Sequence, residues 1–288
     1  MLNYSLLYAE HLSDGDLEVI ARVAGAGRRG QALRAYLRRN PEEVERYLAS
    51  RGLFEALFGE AAEGLETAVS PFLTFGVLVN RSAQDLRETS HVSEFVGAGR
   101  RLPVFDAASL GEFVEEATRR YFLIEFLASF TRVASGSMWV PTRRGYRRLR
   151  YSEMDPVRMV ELVDRMPPEH RPAGYRRLGD VALFLSGVFP DYTAGNPLGL
   201  VERQLLARSA GLDPEAVLEE GDQVGFLEAA GTNWYHRAVE VAHAVVGTGP
   251  EHLRDVADNF TAARRFLNFL TDRYLFRFET GIARPGSG

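Results

Sequence analysis

Cysteine is absent from this 288-residue chain, which excludes disulfides, thiolate nucleophiles and cysteine-ligated zinc or iron–sulfur centres. Any metal would have to be held by histidine and carboxylate. Lysine is absent too, so all 34 basic residues are arginine, and isoleucine occurs only at positions 20, 124 and 282. This is the signature of a GC-rich coding sequence, and arginine usage alone implies no nucleic-acid function. The net charge of −5 argues against a generally basic binder. Long apolar runs are missing: nowhere do about 18 apolar residues stand together. The opening MLNYSLLYAEHLSDGD has neither a basic n-region nor an apolar run of signal length. A cytoplasmic protein with no membrane partner is the expectation. Repeats, heptad arrays and low-complexity blocks are absent as well, and 45% hydrophobic with 25% charged residues is ordinary globular composition.

What is present is a series of legible helix starts. A small capping residue precedes proline at Asn40-Pro41, Ser70-Pro71, Asp155-Pro156, Asn196-Pro197 and Asp213-Pro214. The first residue of each pair accepts from free N–H groups, and proline at the first helical position loses no bond it would have made. Ser13-x-x-Asp16 and Ser109-x-x-Glu112 have the spacing of capping boxes. These signals and the apolar spacing predict helices over 14–25, 28–39, 41–51, 71–88, 110–133, 156–166, 173–188, 197–210, 214–219, 222–246 and 250–278. Gly52 closes the third, an apolar turn follows over 53–58, and 92–108 and 190–196 read as loops, the first with one short strand.

The fold class that results is mainly α, a multi-helix bundle with one short β-hairpin. A short helical N-terminal unit over 1–58 precedes a main helical domain over 70–280. The N-terminal helices do not read as a DNA-binding pair, because the third begins Glu42-Glu43 and would repel phosphate. Gly25-Ala-Gly27-Arg-Arg-Gly30 has dinucleotide-loop spacing but follows a helix where a strand is needed, and is a helix–helix turn. Ser135-Gly136-Ser137 likewise reads as a turn. No residue is assigned a catalytic role.

Two places could carry a function. The first is the hairpin at 137–151, where Arg143, Arg144, Arg147, Arg148 and Arg150 interleave with Tyr146, Leu149 and Tyr151 and Trp139 lies on the opposing strand. Between Arg119 and Arg150 stand eight arginines and one acid, a local charge of +7 that leaves −12 for the remainder. Guanidinium forks bind phosphate and carboxylate and aromatic rings stack on bases, so the hairpin suits an acidic protein surface or a nucleic acid backbone. Without such a partner, its arginines would pair with the chain's own acids, Glu153, Asp155 and those of 213–228. The second place is a carboxylate–histidine metal site of the helical-bundle type. It would use Glu88-x-x-His91 and Glu240-x-x-His243, with Glu125 alone on an apolar helix between them, to hold iron or manganese for an oxidoreductase. Glu125 and Asp180 both lie inside apolar helices, and a fully paired carboxylate there means architecture. The apolar helices 173–188 and 251–278 could also meet a second copy in a homo-oligomer.

The run Tyr175-Arg-Arg-Leu-Gly-Asp-Val-Ala-Leu-Phe-Leu-Ser-Gly-Val-Phe-Pro-Asp-Tyr192, with Leu253 to Tyr274 downstream, resembles uncharacterised conserved-hypothetical helical proteins of bacteria and archaea. The resemblance covers the C-terminal half and implies a helical fold. It implies no activity, cofactor or catalytic residue.

Overall fold

Side-chain capping starts five of the described helices. The computed structural model describes residues 4–25, 31–40, 42–59, 69–95, 100–142, 145–215 and 222–275. The chain divides into two compact units, the first comprising residues 1–92, 105–132 and 272–288. It carries α1 (Tyr4–His11), α2 (Asp14–Val23), α3 (Gln31–Arg39), α4 (Glu42–Leu48), α5 (Arg51–Phe58), α6 (Pro71–Arg87), α7 (Ala107–Glu115) and α8 (Ala117–Ser129). At the start of α2 the Ser13 hydroxyl accepts from the Asp16 N–H at 3.1 Å and the Asp16 carboxylate from the Ser13 N–H at 2.7 Å, the expected box. The other Asp16 oxygen accepts from the Ser70 N–H at 2.7 Å, and the Ser70 hydroxyl in turn caps α6 through the Leu73 N–H. One fully buried carboxylate thus pins the starts of two helices, which satisfies a charge that would otherwise be costly to enclose. The surrounding core is aromatic: Tyr8, Phe72 and Tyr121 meet edge to face, and His11 stacks on Phe72 at 4.9 Å.

Two expectations in this unit change. Residues 53–58 form most of α5, a capped helix in which Ser50 accepts from Leu53 N–H; Gly52 lies inside it and does not close α4. The single helix expected over 110–133 is two, α7 and α8, and Ser109 lies within α7 instead of capping it. Glu116 between them has extended backbone, with φ −72° and ψ 118°. The carbonyls this frees are taken by arginines of the next turn: Arg119 reaches Phe113 O at 3.3 Å, and Arg120 reaches Val114 O and Glu115 O at 2.6 and 2.8 Å.

The second unit comprises residues 93–104 and 133–271. Two strands, β1 (Val92–Phe95) and β2 (Arg101–Val104), pair where a loop with one strand was expected. Then come β3 (Ser135–Thr142), β4 (Gly145–Ser152), α9 (Pro156–Val163), a 3-10 turn (Pro168–His170), α10 (Arg171–Gly187), α11 (Pro190–Gly195), α12 (Leu200–Ala210), α13 (Gln223–Val246), α14 (Glu251–Asp258) and α15 (Phe260–Leu270); the π-turn Thr271–Leu275 that follows belongs from residue 272 on to the first unit. Asp155 caps α9 as expected, accepting from the Val157 and Arg158 N–H groups. Asn196 does not start α12: its amide donates to Tyr192 O at the end of α11, an unexpected helix, and α12 begins after Gly199. Pro214 and Glu215 fall in a turn in which Asp213 accepts from the Glu215 N–H, and 216–219 lie outside the described residues, as does Pro41. The long last helix is interrupted at Asn259, whose amide donates to Asp255 O at 2.8 Å and so competes with the helical ladder.

The core of the second unit is the contact of α10 with α13 and α15, and glycine allows it. A Cβ on Gly179 would stand 2.5 Å from the Tyr235 ring, and one on Gly231 would stand 2.5 Å from Phe260 and 2.9 Å from Ala182. Leu178, Val181, Leu183, Phe266, Leu267 and Leu270 are all fully buried in this unit. These side chains of α10 and α15 thus pack within the unit. No described helix is long and apolar enough to cross a membrane.

Candidate functional site

The hairpin forms as a continuous antiparallel ladder from Ser135↔Ser152 to Thr142↔Gly145, so Ser135-Gly136-Ser137 is strand and not turn. Its register separates two sets of positions, because alternate residues share a face. Ser137↔Arg150, Trp139↔Arg148 and Pro141↔Tyr146 fall on one face; Gly136↔Tyr151, Met138↔Leu149 and Val140↔Arg147 fall on the other. Arg148 and Arg150 thus share a face with Trp139 and Tyr146, whereas Arg147 shares one with apolar residues. Arg143 and Arg144 lie outside the described residues.

The base of the hairpin is held by Glu153. Its N–H donates to Ala134 O at 3.1 Å, and its carboxylate accepts from Ala134 N–H at 3.3 Å and from the Arg177 guanidinium of α10 at 3.0 Å. Asp155 is occupied as the cap of α9. Among the acids of 213–228, Asp213 accepts from Glu215 N–H, Asp222 from Gly225 N–H, and Glu228 from Arg264 and Thr261. Glu153, Asp155, Asp213, Asp222 and Glu228 thus each have a partner outside the hairpin arginines.

The residues of the metal reading are placed as follows. Glu88 is the C-cap of α6, and His91 lies past the end of that helix with its ring 5.7 Å from Phe105, so the two do not project from one helical face. Both are exposed, and Glu125 is half-buried on α8. These three belong to the first unit, and Glu240 and His243, on α13, to the second. Glu240 is exposed, while His243 Nε2 lies 2.7 Å from the Glu251 carboxylate at the start of α14. Among the described residues no three His, Asp or Glu side chains are gathered as ligands of a metal ion. Asp180 is buried and paired: it accepts from the Tyr235 hydroxyl at 2.8 Å, with the Arg176 and Arg177 guanidinium groups at 4.0 Å. Burial, and then the Asp180 charge, push the Tyr235 hydroxyl well above its ordinary value, so it stays a donor.

The second unit also holds a cleft of about 720 Å³, bounded by Glu94, Phe95, Asp222, Glu228, Asn233 and Arg264 among others. Its carboxylates are engaged: Glu228 takes Arg264 Nε at 2.5 Å, and Glu94 takes Arg264 at 3.0 Å and Arg265 at 3.2 Å. This network joins residues 170 positions apart, and no local spacing could have announced it. Compared with protein-family profiles, with curated proteins and with solved structures, the chain matches none.

Proposed function

We propose that this chain is a non-enzymatic binding protein that contacts an anionic macromolecule, a nucleic acid before an acidic protein, through residues 137–151. The observation that carries the reading is the charge balance of the hairpin: five arginines stand there without an acid, while Glu153 and Asp155 next to it are bonded elsewhere. The strand register supports nucleic acid, since a face that combines Arg148 and Arg150 with Trp139 and Tyr146 can neutralise phosphate and stack bases together.

Fluorescence anisotropy with a labelled single-stranded oligonucleotide tests this, with polyglutamate as the acidic-protein surrogate. Binding should weaken steeply with salt, and the triple variant Arg147→Ala, Arg148→Ala, Arg150→Ala should flatten the log–log salt slope by about 2, each lost phosphate contact on a single strand contributing about 0.7. Arg148→Ala and Arg150→Ala should each weaken binding more than Arg147→Ala does. Unchanged affinity in the triple variant removes the proposal, and preference for polyglutamate moves the partner to an acidic protein.

A further inference from the structure

Six described arginines have an Nε sealed from solvent without a hydrogen-bond acceptor: Arg34, Arg81, Arg120, Arg177, Arg203 and Arg265. Five of them bring a guanidinium nitrogen within 3.2 Å of a carboxylate, namely Asp14, Asp85, Glu45, Glu153 and Glu94. Arg203 is the exception. It is nine-tenths buried on the first turn of α12, with its guanidinium carbon 4.9 Å from the centre of the Phe226 ring. No carboxylate or carbonyl among the described residues accepts from it. Among the described residues this buried guanidinium has a ring contact and no carboxylate to supply the counter-charge that enclosure demands.

Its surroundings are those of an anion site. The N-cap of α12 is Gly199, which has no side chain to accept from the first-turn N–H groups; α7, α8, α10, α11, α14 and α15 likewise begin without a side-chain cap bond. Contacts between α12 and α13 advance together along both helices, from Leu198 with Gln223, through Arg203 with Phe226, to Ser209 with Trp234. The two helices therefore run parallel, and their positive ends coincide. A side chain on the first turn of a helix leans toward its N-terminus, which carries the Arg203 fork to that end. Gln223 is buried there too: its carbonyl accepts from Leu198 N–H at 3.4 Å, leaving its amide N–H₂ as a further donor. Of the described acids nearby, Glu202 is turned onto Gly199 N–H at 2.9 Å and Asp222 onto Gly225 N–H at 2.8 Å.

We infer that the common N-terminal end of α12 and α13 binds the oxyanion group of a small molecule, a phosphate or a carboxylate, with Arg203 as the anchoring fork and Phe226 as the platform that holds it flat. Uncapped N–H groups of α12 and the Gln223 amide complete the donor set. This site is independent of the hairpin.

Isothermal titration of the full chain in low-salt chloride buffer, with inorganic phosphate, pyrophosphate and citrate as probes, tests the assignment. At least one probe should bind, Arg203→Gln should weaken it by about tenfold or more, and Arg203→Lys, which keeps charge but loses the fork, should weaken it less. The triple hairpin variant Arg147→Ala, Arg148→Ala, Arg150→Ala should bind that probe like the parent chain, which separates the site from the hairpin. Thermal melts establish that the variants are folded; where Arg203→Gln is not, Arg203→Lys decides. The inference is overturned if no probe binds, if binding survives loss of the fork unchanged, or if the hairpin variant alone abolishes it.

Discussion

Tyr235 and Asp180 show how a charge is kept inside the second unit. The tyrosine donates to the carboxylate at 2.8 Å, and guanidinium nitrogens of Arg176 and Arg177 lie 4.0 Å from it. Tyr235→Phe should cost about 1–3 kcal/mol, the range for leaving a buried acceptor short of its donor, read from chemical denaturation. Gly179→Ala should also destabilise, by about 1–3 kcal/mol, because the added methyl meets the Tyr235 ring with no room to withdraw. A third residue gives a pH dependence. The bond from His243, with Arg254 adding to it, holds the Glu251 carboxyl below its ordinary value of 4.5. A carboxylate lowered in the folded state contributes stability above its unfolded value, and that contribution is lost as pH falls through the folded one. Amide exchange in the first turn of α14 should therefore quicken on acidification below about pH 4.5, more than the pH dependence of intrinsic exchange accounts for. His243→Ala should remove most of the difference.

Among the elements, the break between α7 and α8 is held by side chains, not by a capping residue. Arg120 takes two carbonyls at the end of α7 and places another nitrogen 2.6 Å from Glu45 of α4. Arg120→Ala should destabilise the protein by about 1–3 kcal/mol and raise amide exchange at the end of α7, where bonds to a charged group are lost. The apolar spacing of 110–133 could not announce this interruption, because Glu116 is an adequate helix former and its extended backbone depends on partners brought by other turns. The hairpin was readable, since alternating arginines and aromatics bracket a turn around Gly145. Its register was not, and the register is what divides Arg148 and Arg150 from Arg147.

For the whole molecule, neither unit is a contiguous stretch of chain. The second takes residues 93–104 from ahead of 105–132, and this short piece brings Glu94 to the buried Arg264. A fragment limited to 133–271 lacks that partner and leaves Arg264 with Glu228 alone. It should be markedly less stable than the same residues in the full chain, by about 3–5 kcal/mol if the charge stays enclosed, measured by denaturation followed through Trp234. An equally stable fragment would show that Glu94 is dispensable.

The sequence by itself determined the helical class, the capping at Ser13, Ser70 and Asp155, the hairpin and the absence of thiol chemistry. Those depend on interactions within a few residues, which spacing and residue type express directly. Only the tertiary structure decided that Asp16 serves two helices, that Asp180 is a paired core carboxylate, and that Glu153 takes Arg177 while Asp155 caps α9. It also singled out Arg203, a buried arginine that no described carboxylate or carbonyl accepts from. The reason is physical: whether a charge is satisfied depends on groups that folding brings from distant positions, and desolvation is set by the enclosure they form together.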